Sequence, residues 1–115
     1  MAVLAVQAIV RAGVVPALAA AAAGGDSFLN GGRVYLHVAN ANVGAARTVT
    51  ITSQLPAGAL PQGAAKTDLA VVVAASSEKL IGPFDPQGFN DANGRVVLTY
   101  SDAAADLTVG AFSLL

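Results

Sequence analysis

The chain has 115 residues, a length that suits one domain with one hydrophobic core. Hydrophobic residues make up 55% of it, but only 11% of the residues are charged, whereas about a quarter are charged in a typical soluble domain. The net charge of −1 gives no electrostatic reason to expect nucleic acid or an anionic membrane as a partner. The absence of cysteine excludes a disulfide framework, a thiol nucleophile and a cysteine-type zinc site. So few charges on a small domain predict that part of its surface is a contact face in an assembly.

Residues 1–23 are mostly apolar and have to be compared with targeting segments. Arg11 lies in the middle of this stretch, after Gln7, and Pro16 follows soon after. A secretory signal would begin with basic residues and continue as an uninterrupted apolar stretch, and a membrane span would need about 20 continuous apolar residues. We therefore interpret residues 1–23 as an N-terminal strand or assembly arm of the fold.

Within this arm, strands are predicted over residues 3–10 and 14–22, with a turn near Gly13 between them. A helical turn over residues 18–23 stays open as an alternative, because alanine has the highest helix propensity. Two further turns are predicted at residues 24–27 and 30–32, where glycines cluster with asparagine, aspartate or serine.

Alternation of side-chain type is clearest in the middle of the chain. Residues 33–40 carry aliphatic side chains at positions 34, 36 and 38, and these alternate with tyrosine, histidine and alanine. This period of two is typical of a half-buried strand. Residues 47–53 place Val49 and Ile51 on one face and three threonines on the other, which also favours a strand.

The second half of the chain continues in the same way. Residues 54–66 have no periodicity and are predicted to form a long loop, and further strands are predicted at 68–74, 79–82, 95–101 and 107–115. Together these make about eight short strands with turn signals every ten residues or so, the pattern of a β-sandwich. The predicted fold is therefore a single all-β domain, an antiparallel β-sandwich that is jelly-roll-like.

The predicted core consists of the aliphatic and aromatic side chains that share one face of these strands. Each aliphatic side chain that is fully buried contributes on the order of 1.5–3 kcal/mol before chain entropy is subtracted. The predicted inward-facing residues are Val34, Leu36, Val38, Val49, Ile51, Leu69, Val71, Val73, Leu80, Phe84, Val96, Leu98, Tyr100, Leu107 and Val109.

Few residues offer chemistry. His37 is the only histidine, so a metal site would lack a second histidine or a cysteine, and a serine hydrolase would have to use His37 as its base. No Gly-x-Ser-x-Gly sequence is present. The interpretation of His37 as an ordinary strand residue is therefore favoured.

The carboxylates in the predicted turns are better explained as caps than as ligands. Asx-turn capping accounts for them without a metal, because the spacing of oxygen ligands that a calcium loop needs is missing; they are Asp85, Asp91, Asp102 and Asp106. We predict a non-enzymatic protein with no catalytic, cofactor-binding or metal-binding residues.

The most distinctive stretch is Lys79–Arg95, which contains two prolines, three glycines and two aromatic residues and leads directly into a strand. Pro83 and Pro86 fix φ and remove backbone donors, and Asn93-Gly94 suits a tight turn. We expect this segment to cross from one sheet to the other with Phe84 buried beneath it.

The same stretch also carries a family resemblance. Residues 11–33 running into Leu36–Asn40, together with "EKLIGPFD", "FNDANG" and "TYS" between Glu78 and Ser101, resemble a group of small structural proteins of tailed bacteriophages. These proteins are encoded among the head genes and are taken to be capsid decoration, or cement, proteins. With the strands between the two segments, the resemblance covers most of the chain, and the alanine-rich residues 57–65 depart from it.

The resemblance implies a β-sandwich on the outer surface of an icosahedral virion head. The partners would be the major capsid protein, whose subunit contacts the protein would reinforce, and further copies of itself in a homotrimer at threefold positions. The N-terminal arm would serve in assembly, where main-chain pairing with a neighbour can satisfy its backbone groups. No site residues are carried over, and neither nucleic acid, a membrane nor a cofactor is expected.

A carbohydrate- or receptor-binding jelly-roll module on the virion surface is the alternative. Such a module would need a cluster of exposed aromatic side chains. Tyr35, Phe89 and Phe112 are the candidates, and they lie on separate segments of the sequence.

Overall fold

The computed structural model describes residues 2–54, 68–102 and 106–114. These residues form ten strands and one helical turn: β1 (Ala2–Val3), β2 (Val6–Ile9), β3 (Ala19–Ala20), β4 (Asp26–Leu29), β5 (Val34–Asn40), β6 (Arg47–Ile51), β7 (Leu69–Val73), β8 (Ser77–Ile81), α1 (Pro86–Phe89), β9 (Arg95–Tyr100) and β10 (Leu107–Leu114). Within the described residues, no helix has the length and hydrophobicity that a membrane crossing requires.

The strands form two five-stranded sheets, and the predicted all-β sandwich is confirmed. Sheet I has the strand order β1-β4-β9-β6-β7, and sheet II has the order β2-β10-β5-β8, with β3 also paired to β10. From β4 onward, every connection except β6–β7 carries the chain from one sheet to the other. The inner faces of both sheets therefore alternate in contributing to one shared core.

The core between the sheets follows the predicted alternation. β5 and β6 bury every second residue, and most of the predicted inward-facing residues are buried. Val71 and Tyr100 are partly buried and pack against the core. Leu69 lies opposite Ile51 but remains 40% exposed, because β7 is the last strand of sheet I.

The prediction for Leu80 was wrong. Leu80 lies opposite His37, which is on the outer side of β5, and it is 68% exposed. Its neighbour Ile81 lies opposite Leu36 and is buried instead. Two adjacent apolar residues fit either phase of a strand, so the period alone did not decide which of them faces inward.

The N-terminal arm differs from its prediction. The strand predicted for residues 3–10 is divided into β1 in sheet I and β2 in sheet II. Of the strand predicted for residues 14–22, only Ala19–Ala20 form one, and the alternative of a helical turn over residues 18–23 is wrong. β1 runs parallel to β4 and β2 runs parallel to β10, so the sheets are mixed rather than purely antiparallel. Parallel pairing needs a connection of about a dozen or more residues, and residues 4–25 supply one between β1 and β4.

Two elements were not predicted. β4 begins at Asp26, inside the stretch interpreted as a turn, and α1 lies inside Lys79–Arg95, which we call the corner. α1 begins at a proline, and the side chain of Asp85 caps it by accepting a hydrogen bond from the Gln87 backbone N–H, an arrangement favoured at helix N-termini. The long loop predicted for residues 54–66 lies, apart from Gln54, outside the described residues.

The predicted sheet crossing at Lys79–Arg95 is confirmed. β8 belongs to sheet II and β9 to sheet I, and Phe84 between them is buried against Phe28 and Phe89. The corner is tied to β4 by Asn30, whose side-chain N–H group donates to the Phe84 carbonyl at 3.0 Å and to the Asn90 side chain at 2.8 Å. Asn90 donates in return to the Asn30 carbonyl. The buried amide of Asn30 and the half-buried amide of Asn90 satisfy each other, which holds the corner in one position.

Candidate interaction surface

The outer side of sheet II carries a group of apolar side chains outside the main core. In β5 and β10, Tyr35 lies opposite Phe112, and their rings stack with centroids 5.9 Å apart. Leu80 of β8 lies on the same side, opposite His37. Side chains at opposed positions of paired strands share a face, so these residues form one continuous outer layer.

Phe112 is buried although it faces away from the core, being only 4% exposed. The segment between β2 and β3 covers it. A Cβ atom built on Gly110 would lie 2.8 Å from Leu18 Cδ2, 2.9 Å from the Ala17 carbonyl oxygen and 3.0 Å from Phe112 Cε2. The covering segment can therefore approach β10 this closely only because residue 110 has no side chain.

The side chain of Gln7 holds the covering segment in place. Its Nε2 atom donates to the Ala17 carbonyl at 2.8 Å, and its Oε1 atom accepts from the Ala17 N–H at 2.9 Å. Because these two bonds satisfy both backbone groups of Ala17, they fix residues 10–18 over the sheet at one point. Gln7, whose polarity argued against a targeting segment, therefore anchors the covering segment, and we call its two hydrogen bonds to Ala17 the clamp.

Two shallow clefts adjoin on this outer side and share Tyr35 and Leu80. One has a volume of about 270 Å³ and lies beside the covering segment, and the other, of about 400 Å³, extends to the corner. We call the two together the Tyr35 groove. Its lining residues are Ile9, Val14, Pro16, Gly32, Arg33, Tyr35, His37, Leu80, Ile81, Gly82, Pro83, Phe112 and Leu114.

His37 and Glu78 are joined by a hydrogen bond beside the groove. His37 Nε2 lies 3.0 Å from Glu78 Oε2, and the imidazole ring lies beside Phe112 with centroids 6.3 Å apart. The Glu78 side chain is mostly exposed, so the pair is worth about 0–1 kcal/mol.

The predicted turn carboxylates fall into two groups. Asp85 caps α1, and Asp91 Oδ1 accepts hydrogen bonds from the backbone N–H groups of Asn93 and Arg95, so both act as turn caps as predicted. Asp102 and Asp106 instead pair with an arginine. In the part of the chain that the structure describes, no group of three or more histidine, cysteine or acidic side chains is arranged to hold a metal ion.

Arg47 is the buried cation that receives these two carboxylates, at the end of the sandwich opposite the corner. Its guanidinium nitrogens lie 3.3 Å from Asp102 and 3.4 Å from Asp106, and one of them donates to the Asp102 carbonyl. Asn42 also donates to Asp106 at 2.9 Å. A buried charge requires such partners, and the cluster closes this end of the core.

A second buried polar contact lies between β4 and β9. The hydroxyl group of Tyr100 donates to the carboxylate of Asp26, which is buried and also accepts a hydrogen bond from the Ala22 N–H. Burial raises the pKa of the Tyr100 hydroxyl above its usual value, and the hydrogen bond and charge of Asp26 raise it further. The Tyr100 hydroxyl group therefore keeps its proton to a higher pH in the folded protein than in the unfolded chain.

The three aromatic candidates for ligand stacking separate into two places. Tyr35 and Phe112 are brought together on the outer side of sheet II, whereas Phe89 packs against Phe84 with ring centroids 5.9 Å apart. Because Phe112 is covered, Tyr35 is the one of the three that borders the groove with a partly exposed side chain.

Several residues of the groove were not anticipated from the sequence. Val14 and Pro16 were assigned to a strand but lie in the covering segment, and Leu80 was assigned to the core. Leu114 was assigned no role, although it is 60% exposed and lines the groove. One local signal could have indicated the covering segment: Pro16 has no backbone N–H group, which disfavours a continuous strand over residues 14–22.

Comparison of the chain with protein-family models, with curated proteins and with solved structures found no match.

Proposed function

We propose that this protein is a non-enzymatic structural component of a tailed-phage virion that binds the outer surface of the capsid and reinforces contacts between major capsid protein subunits. The observation that carries the proposal is the position of the Tyr35 groove beside the corner that bears the family resemblance. Ile81, Gly82 and Pro83 belong to that corner and also line the groove. The segment that carries the resemblance is thus part of an open, largely apolar surface.

The geometry of the corner supports a role for this surface in binding. A Cβ atom on Gly82 would lie 3.1 Å from Tyr35 Cα and 3.2 Å from the Val34 carbonyl oxygen. The close approach of the corner to β5 therefore depends on glycine, and it places Pro83 at the edge of the groove. The corner lines one part of the groove through Ile81, Gly82 and Pro83, and the covering segment lines the other through Val14 and Pro16.

The chemical character of the groove favours a protein partner. Leu80 and Leu114 are mostly exposed and line it, and Arg33 and His37 are the basic residues among those that line it. Apolar patches of this kind mark protein–protein contacts, whose centres are depleted in charge. Reinforcement of the capsid would follow if one copy contacted two neighbouring subunits at once.

Localisation is the first test. Mass spectrometry of purified particles should find the protein in the virion, and a reconstruction should show its density outside the capsid. A protein found only in infected-cell extracts would overturn the proposal. For the bound state we propose the homotrimer that the resemblance implies, which the same reconstruction tests as three copies around one axis.

The groove is tested separately by Leu80→Asp. The side chain is exposed, so we expect an unchanged melting temperature, whereas cosedimentation with capsid shells that lack this protein should fall steeply because a charge would be buried at the contact. Val43→Asp is the matched control, since Val43 is 87% exposed and does not line the groove. Equal binding by both variants would exclude the groove as the capsid contact.

The alternative function, a carbohydrate- or receptor-binding module, rests on Tyr35. Its ring borders the groove beside His37 and Glu78, which supply polar groups next to an apolar ring. A glycan array distinguishes the two functions: a specific signal that Tyr35→Ala removes would favour the module. Capsid binding that survives Tyr35→Ala, without any glycan signal, would favour the structural role.

A further inference from the structure

The free edges of the two sheets differ in how they are protected against pairing with another chain. β1 is only two residues long, the β2–β3 edge lies beside the segment clamped by Gln7, and β8 carries Glu78 and Lys79 in its middle. Short edges, covering segments and central charges are the usual means by which proteins prevent strand addition. Each of these three edges therefore has a recognisable protection.

Among residues 2–54, 68–102 and 106–114, none protects β7 in these ways. Its sequence is Leu-Ala-Val-Val-Val, five residues without a charge, a proline or a glycine, and among the described strands it pairs with β6 alone. The nearest charge, Asp68, is directed back to its own sheet, because its Oδ1 atom accepts a hydrogen bond from the Ser53 N–H at 2.8 Å. A straight apolar edge of this kind exposes backbone groups that another strand can satisfy.

We propose that the free edge of β7 is a self-association site, at which β7 of a second copy of this chain pairs in antiparallel orientation about a twofold axis through Val71. In this register Val71 faces its own symmetry mate, Leu69 faces Val73 of the second copy, and Ala70 faces Val72. All five residues of the strand are then paired.

The second copy is favoured over another strand because β7 is complementary to itself. Leu69, Val71 and Val73 lie opposite inward-facing positions of β6, so they share the inner face. The symmetric register pairs odd positions with odd positions, which keeps these side chains on the inner face of both copies. Leu69, which is 40% exposed, would be covered by the second copy.

The placement of charge agrees with this pairing. In the same register Asp68 lies opposite Ala74 of the second copy, so the two carboxylates stand at opposite ends of the joined edge rather than facing each other. On the outer face the pair contributes Ala70 and Val72, which are both uncharged. Among the described residues of the joined edge, no like-charge contact therefore opposes association.

The inference is independent of the capsid proposal and constrains the assembly differently. Each chain has one β7, so a twofold contact joins two chains. Single chains would form dimers, and trimers would associate in pairs. Such an isologous contact closes on itself and does not propagate into a fibre. The expected species in solution contains an even number of chains.

Cross-linking tests the register directly, because the chain has no cysteine of its own. Val71→Cys places the two thiols opposite each other, where Cα atoms of antiparallel strands are about 4.5–5.5 Å apart, within disulfide reach. Mild oxidation should convert most of this variant to a covalent dimer. Val72→Cys is the matched control: it is 53% exposed, but its symmetry mate lies two residues farther along, beyond the roughly 7 Å limit of a disulfide.

Sedimentation velocity gives the second measurement. The wild-type protein should sediment as an even-numbered species, and the double variant Ala70→Lys, Val72→Lys should dissociate because lysines would face each other across the edge. Val15→Lys, which adds a charge at an 88% exposed position between β2 and β3, should leave association unchanged. A wild-type monomer or trimer would overturn the proposal, as would equal cross-linking of the two cysteine variants. Either result leaves virion localisation, and so the proposed function, untouched.

Discussion

The molecule has two apolar layers, and they are built differently. The inner layer lies between the sheets, where residues such as Leu36 and Val49 are enclosed by strands on both sides. The outer layer lies on the far side of sheet II, where Phe112 is enclosed by the sheet below and by residues 10–18 above, and Tyr35 stacks beside it at the edge of the groove. The first layer is closed by two hydrogen-bonded sheets, and the second by a segment clamped at Ala17.

This difference shows where the protein can adapt to a partner. Most side chains of the inner layer are buried, so changes there act on the stability of the whole fold. The outer layer is closed over Phe112 but open along the Tyr35 groove, so it combines a stable base with an accessible margin. Substitutions in the two layers should therefore separate stability from binding.

The largest effect is expected in the inner layer. Leu36→Ala should lower the free energy of unfolding by about 4 kcal/mol, because Leu36 is fully buried and the two sheets cannot collapse far into the cavity. Urea denaturation measures this, with Val43→Ala as the exposed control. A loss below about 1 kcal/mol would mean that the inner layer relaxes as easily as a surface.

Phe112→Ala tests whether the outer layer is a true part of the folded core. Truncation of an ordinary outward-facing residue lowers the free energy of unfolding by less than about 0.5 kcal/mol. For Phe112→Ala we expect a loss of about 3 kcal/mol. This is the lower end of the range for a buried phenylalanine, because residues 10–18 can partly fill the space. Denaturation of this variant beside Leu80→Ala, an exposed neighbour on the same face, makes the comparison. Equal values for the two would show that the covering segment does not protect Phe112.

Tyr100 gives the inner layer a dependence on alkaline pH. Its folded-state pKa is raised above the unfolded value of about 10, so the stabilisation is fully present below pH 10 and is lost as pH rises further. Tyr100→Phe should cost about 2 kcal/mol at pH 7, because Asp26 loses a donor, and should flatten the decline above pH 10. Tyr35→Phe, in the outer layer, is the control and should lose stability above pH 10 as the wild type does. If Tyr100→Phe also kept the full loss of stability above pH 10, other titrating groups would be its cause.

The smallest expected effect on stability is that of the clamp. Gln7→Ala removes two hydrogen bonds to Ala17 at an exposed position, which should cost about 1 kcal/mol. Hydrogen exchange should show the loss locally, with faster exchange of the Ala17 amide and unchanged exchange in β5 and β6. Gln87→Ala, on the exposed side of α1, serves as control. Unchanged exchange at Ala17 would mean that packing of Leu18 alone holds the segment.

Some parts of this arrangement were open to prediction from local sequence. The alternation in β5 and β6 identifies both the strands and their buried faces, because a strand sends successive side chains to opposite sides. The prolines, glycines and asparagines of Lys79–Arg95 indicate a fixed corner, and Phe84 is buried within it. Asp85 and Asp91 cap turns as their positions indicated.

The groove could not be predicted in this way. Leu80 and Ile81 are equivalent in pattern, and only the pairing of β8 with β5 places Leu80 outside. Tyr35 and Phe112 are 77 positions apart in the sequence and become neighbours through the pairing of β5 with β10. The role of Gly110 depends on Ala17 and Leu18, which approach it from the arm.

The sequence by itself determined the all-β class, the inner faces of the central strands and the rigid corner, since each of these follows from local conformational preference and a period of two. Tertiary structure decided that the arm divides between two sheets, that it covers Phe112, and that Leu80 faces the groove. The physical reason is that a period of two shows only that the two faces of a strand differ. Which segment covers the outer face depends on residues far away along the chain.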